Sequence, residues 1–101
     1  MDALRARGIF CFKVHGGPTM MAGLPDIIAC VPIVWDATVH GDQLMGLFVG
    51  FETKIPGNNP TPVQAHVHVR ITEAGGLVCV PHSVAEALAF VDRVSGTTDR
   101  F

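Results

Sequence analysis

Two short stretches carry the residues best suited to chemistry. Glu52-Thr53-Lys54 closes an apolar run that begins at Gly46, and Pro25-Asp26 opens another that continues through Val31. On a strand, Glu52 and Lys54 project from one face, because side chains alternate with a period of two. If the two runs pair antiparallel about a turn near Val39-His40, residues whose numbers sum to roughly 78 to 80 lie opposite each other. Asp26 then falls across from Glu52 or Lys54. Two carboxylates with an ammonium beside them are oxygen donors suited to a hard divalent cation, Mg²⁺ or Mn²⁺.

The elements that must position these residues follow from local pattern. Met1 to Arg7 reads as the end of a helix with Gly8 at its C-terminal cap. Ile9 to Val14 is a strand broken by His15-Gly16-Gly17-Pro18, where the glycines let backbone approach a phosphate and Lys13 and His15 flank the approach. Pro25 to Trp35 is a second strand, with Pro32 forcing a bulge or an edge position. Asp36 to Met45 reads as a polar connection containing His40 and Asp42, and Gly46 to Lys54 is the third strand. Ile55 to Pro60 is a turn cluster.

Thr61 to Ala74 supports two readings. Its residues alternate as in a half-buried strand, yet Thr61 suits an N-cap, Pro62 a first helical position and Gly75-Gly76 a C-terminal cap, with Val63, Val67, Ile71 and Ala74 as a helical stripe. Helix is the expectation, and it places His68 on one face with Gln64. The strand alternative would put His66 and His68 on one face as a metal-binding pair. Leu77 to Val80 is a short strand, Ser83 and Glu86 form a capping box for a last helix, and Ser95 to Phe101 is a tail.

Composition bounds the function classes. With 101 residues, 49% hydrophobic and 16% charged, the chain suits one folded domain with its own core. No apolar run reaches the ~18 residues of a membrane span, so a soluble, cytoplasmic protein is expected. Cys11, Cys30 and Cys79 lack any Cys-x-x-Cys spacing and read as buried small hydrophobes in a reducing compartment. A formal net charge of −2 argues against strong non-specific nucleic-acid affinity, unless Lys13, His15, Lys54, His66, His68 and Arg70 gather at the site.

The ordered set Lys13-Val14-His15-Gly16-Gly17, Gly23-Leu24-Pro25-Asp26-Ile27-Ile28, Glu52-Thr53-Lys54, Gln64 and Gly75-Gly76 resembles the PD-(D/E)XK nuclease superfamily and, within it, the VRR-NUC domain. The likeness runs from residue 8 to residue 90. It implies an α/β (α+β, mixed-sheet) fold with a restriction-endonuclease-like αβββαβ core, a C-terminal helix and one nuclease domain over residues 1–101. It further implies a Mg²⁺- or Mn²⁺-dependent endodeoxyribonuclease that hydrolyses phosphodiester bonds, acting on branched DNA such as Holliday junctions. Stand-alone members are common in phages, which would act in the host cytoplasm.

By that resemblance Asp26 and Glu52 hold the metal with the Thr53 backbone carbonyl, Lys54 orients or activates the water, and Gln64 holds the water, the Lys54 ammonium or a scissile-strand phosphate. Lys13, His15, Gly16, Gly17 and His68 are the expected DNA contacts. The family's first helix often adds an acid to the site, for which Asp2 is the candidate in this sequence. A symmetric branched substrate calls for a C2 homodimer. The rivals are a flap- or nick-directed nuclease and a non-catalytic nucleic-acid-binding subunit that keeps the fold.

Overall fold

The computed structural model describes residues 1–15, 21–37, 41–53 and 59–96, with backbone alone for 34–37 and 41–44. The elements follow in the order α1 (Asp2–Ala6), β1 (Phe10–Lys13), β2 (Ile27–Ala37), β3 (Gly41–Phe51), α2 (Pro62–Glu73), β4 (Leu77–Cys79) and α3 (Val84–Gly96). The result is a small mixed α+β protein built on one four-stranded sheet, in the spatial order β1-β2-β3-β4. The β1–β2 and β2–β3 pairs are antiparallel, and β3–β4 is parallel across the α2 crossover.

The two sheet faces are treated differently. Ala29, Val31, Val49, Phe51, Cys11 and Cys79 point to a face covered by α1 and α3, where Leu4, Ile9 and Val91 complete the core. Phe51 meets Phe90 of α3 edge to face, with ring centroids 6.0 Å apart. Arg7 and Asp92 form an ion pair between the end of α1 and α3. On the opposite face α2 lies over the β3–β4 side. A side chain at Gly50 would collide with Pro25, one at Gly76 with Ile71 and Phe48, and one at Gly23 with Val63 and Val67.

Caps set the helix ends as the sequence indicates. Gly8 and Gly75 take positive φ, +75° and +95°, just beyond α1 and α2. Thr61 caps α2 with Pro62 at its first position, and Ser83 Oγ accepts from the Glu86 N–H at the start of α3. Glu86 reaches back to the His82 N–H, one residue earlier than a strict capping box requires.

Several boundaries differ from the sequence reading. The second and third strands extend to Ala37 and from Gly41, so most of the stretch read as a polar connection is hairpin ladder. Cross-strand pairing, once in register, overrides the weak local preference of Asp36, Gly41 and Asp42. There is no bulge at Pro32, because the pairing stays in register through Pro32 and Gly46. Pairing with β1 ends at Cys30, so β2 is an edge on that side at Pro32, where a residue without an N–H is tolerated. The last helix takes in Ser95 and Gly96, which the sequence assigns to the tail.

Cys11 and Cys79 are buried, but Cys30 is exposed. Strand alternation explains the exception: Ala29 and Val31 face the α1–α3 core, so Cys30 must face the side that α2 leaves bare. No helix among the described residues is long and apolar enough to cross a membrane.

Candidate active site

The site begins with register. Every β2–β3 pair has residue numbers that sum to 78, from Ala37 with Gly41 to Ile27 with Phe51. One step further, Asp26 and Glu52 leave their strands at the same end of the sheet. Both are still held by backbone bonds. The Val14 N–H donates to the Asp26 carbonyl at 2.7 Å, and the Glu52 N–H donates to the Cys79 carbonyl at 2.9 Å. Each carboxylate therefore stands on backbone that a neighbouring strand still fixes.

Pro25 aims Asp26. Its ring is among the most fully buried side chains, and it occupies the space over Gly50, where an added Cβ would approach the ring within 2.5 Å. Asp26 Oδ2 then accepts from both the Thr53 N–H at 3.0 Å and the Thr53 hydroxyl at 2.8 Å. That pair of donors bridges the two acidic motifs. Thr53 thus contributes its side chain as well as its backbone, which the sequence pattern does not announce.

Glu52 is 1% exposed, and Gln64 Nε2 donates to its Oε1 at 2.6 Å. Gln64 itself is locked from the other end. Its Oε1 accepts from the Thr61 N–H at 2.9 Å, and its own N–H donates to Thr61 Oγ1 at 3.2 Å, a reciprocal capping box. The α2 N-terminus thereby fixes the amide that holds Glu52. The signal is in the sequence as Thr61-Pro62-Val63-Gln64, the Thr-x-x-Gln spacing of such a box.

Asp26, Glu52, Thr53 and Gln64 are therefore brought together. Lys54, Gly16 and Gly17 lie outside the described residues, as do His40 and the turn cluster from Ile55 to Asn58. Lys13 pairs with Ile27 and so shares the core-side face with Cys11, opposite the face that α2 covers. His15 is exposed just beyond β1, and Asp2 is exposed in the first turn of α1. His68 is half-buried one turn after Gln64, whereas His66 and Arg70 are exposed elsewhere on the helix. Because α2 is a helix, His66 and His68 do not face together, and the histidine-pair metal site loses its geometric basis.

A cavity of about 530 Å³ opens on the core side of the same sheet end, with Thr53 among its walls. Apart from Thr53, His82 and Ser83 its lining is apolar, including Leu4, Ile27 and Leu88, so it does not suit a phosphate. Behind the site the Cys79 thiol is pushed above its ordinary value by burial, with Arg93 pulling it down and Glu86 pushing it up.

The donors that the structure places at the strand ends are two carboxylates, and the Thr53 carbonyl is the third that the family resemblance implies, all hard oxygens. Among the described residues no group of three or more His, Cys, Asp or Glu side chains is placed to hold a metal. That set fits Mg²⁺ or Mn²⁺, which take one or two carboxylates and keep several waters, and does not fit Zn²⁺. No protein-family model, no curated protein and no solved structure matches this chain.

Proposed function

We propose that this protein is a divalent-metal-dependent DNA endonuclease of VRR-NUC type, with the restriction-endonuclease-like αβββαβ arrangement as its core. The observation that carries the reading is the convergence of Asp26, Glu52 and Thr53 at one sheet end, with Gln64 tied to Glu52 from the following helix. The element order, with two antiparallel pairs and one parallel crossover, agrees with that core.

In this reading Asp26, Glu52 and the Thr53 carbonyl hold Mg²⁺ or Mn²⁺. The ion, when bound, supplies positive charge and Lewis acidity at the phosphoryl group. Thr53 holds Asp26 Oδ2, which leaves Asp26 Oδ1 as the oxygen that would take a bound ion. Gln64 acts as a positioning residue, since its amide is committed to Glu52 and Thr61, in place of the direct contact with water or phosphate that the resemblance implies. Lys54, two residues beyond Glu52, orients the attacking water and offsets charge developing on the phosphate. Branched DNA, cut symmetrically by two copies of the chain, is the proposed substrate.

A second reading has its own observation. Asp26 Oδ2 and Glu52 Oε1 already accept good hydrogen bonds inside the protein, as they would in a nucleic-acid-binding subunit that keeps the fold without catalysis. Labelled four-way junction, flap, single-stranded and linear duplex DNA separate the two readings, each incubated with Mg²⁺ or Mn²⁺. Metal-dependent cutting that Asp26→Ala and Lys54→Ala both abolish supports the nuclease, and a preference for the flap over the junction would correct the substrate. Metal-independent binding without cutting by folded protein overturns it in favour of the subunit.

A further inference from the structure

The sheet face that α2 covers is covered on one side only. Over β1 and β2 no other described element covers it, and the residues there are apolar: Phe10 is 65% exposed, Phe12 50% and Phe48 46%, with Cys30 exposed between them. Register places Phe10, Cys30 and Phe48 in one row across three strands, and Phe12 beside Ile28 in the next. Phe10 and Phe12 form a ridge along the edge strand, with ring centroids 6.2 Å apart. Between that ridge and Phe48 runs a furrow of about 200 Å³, walled by Phe10, Phe12, Ile28, Cys30, Gly46 and Phe48.

We propose that this face is the contact between two copies of the chain. Ridge and furrow lie side by side on one surface, so a two-fold axis can set the ridge of each copy into the furrow of the other. None of the residues lining the furrow carries a charged side chain, so the surface can meet its own image without like-charge repulsion, and it offers nothing to a phosphate backbone. Taking about 200 Å² for a whole aromatic side chain, the three phenylalanines alone present roughly 300 Å² of apolar surface. With Ile28 added, that is the apolar centre of an interface of about 800 Å² per partner. Among the described residues the first strand of the sheet also keeps one unpaired edge, Phe10 to Lys13, at the margin of the patch.

This deepens the two-copy part of the proposed function, and it is argued from the sheet face alone. The test is sedimentation velocity of the full chain from about 1 to about 100 μM, where a micromolar dissociation constant would show. A dimer is expected for the wild type, with Phe10→Asp and Phe48→Lys each remaining monomeric at the highest concentration. On the wild type itself, maleimide labelling of Cys30 should slow several-fold as concentration rises through the dimerisation range, which keeps the proposal testable where a variant fails to fold. A wild-type monomer throughout overturns the interface, and so does a dimer in which both folded variants persist unchanged or Cys30 labels at a constant rate. DNA cleavage by the wild type is scored separately: its absence overturns the nuclease and leaves these outcomes standing.

Discussion

The Gln64 side-chain amide joins two otherwise separate structures: its Nε2 donates to Glu52 Oε1 at 2.6 Å while its Oε1 accepts from the Thr61 N–H at 2.9 Å. One side chain both starts the helix and holds the buried carboxylate. Gln64→Ala removes both bonds and should cost about 2 to 3 kcal/mol in urea denaturation. Gln64→Glu can still accept from the Thr61 N–H, but it sets a second carboxylate beside Glu52. Its deficit should be largest at about pH 7 and shrink toward pH 5, as the mutual repulsion raises a carboxyl pKa and one group takes up a proton. Equal, pH-independent losses for both variants would show that only the cap matters.

Gly50 is the slot that lets Pro25 direct Asp26. Gly50→Ala drives a methyl group into the proline ring and should destabilise by about 1 to 3 kcal/mol. If the protein is a nuclease, activity per folded molecule should fall as well, because Asp26 follows Pro25. Unchanged stability and unchanged cleavage would mean that the 25–26 loop adjusts freely and that the slot does not set the carboxylate.

The two donors from Thr53 give Asp26 a structural role that can be separated from its proposed chemical one. Thr53→Val deletes the hydroxyl bond to Oδ2 and keeps the backbone bond, for a loss of about 1 kcal/mol at this exposed position. Asp26→Asn keeps the shape and one carbonyl acceptor, so it should remain folded while losing Mn²⁺ binding and cleavage. Titration calorimetry with Mn²⁺ decides the matter. An Asp26→Asn chain that binds Mn²⁺ as the wild type does would reduce Asp26 to a turn cap.

Much of this arrangement was legible before any coordinates, and the reasons differ by residue. The Thr61–Pro62 start and Gly75 stop of α2 outweighed its strand-like alternation because caps act locally and leave a fixed sequence mark. The Asp26–Glu52 juxtaposition followed from a constant register. Cys30 is exposed against the expectation of burial because apolar neighbours in sequence do not say which sheet face a helix covers. The Thr53 side-chain bond to Asp26 and the Gln64 bond to Glu52 leave no local mark, because each depends on a partner distant in sequence. The aromatic face has no local mark for the same reason, since alternation groups Phe10 with Phe12 without saying which sheet face a helix covers.

Cys79 and Cys30 form an internal comparison. Burial raises the Cys79 thiol above its ordinary value of 9.0, so the folded state favours the protonated form more than the unfolded state does. The sign follows directly: this contribution to stability is complete below the unfolded value and is lost as pH rises through the higher folded value. Urea midpoints should therefore fall as pH rises above about 9 in the wild type and fall less steeply in Cys79→Ala, which is weaker at every pH because of the cavity it leaves. At neutral pH, alkylation of the dilute protein should modify Cys30 first and Cys79 only as the fold opens, since Cys79 is both buried and held as the thiol. Parallel pH profiles in wild type and variant, or early modification of Cys79, would mean that the β4 end of the sheet, where the Cys79 carbonyl holds Glu52, opens too readily to maintain a fixed carboxylate.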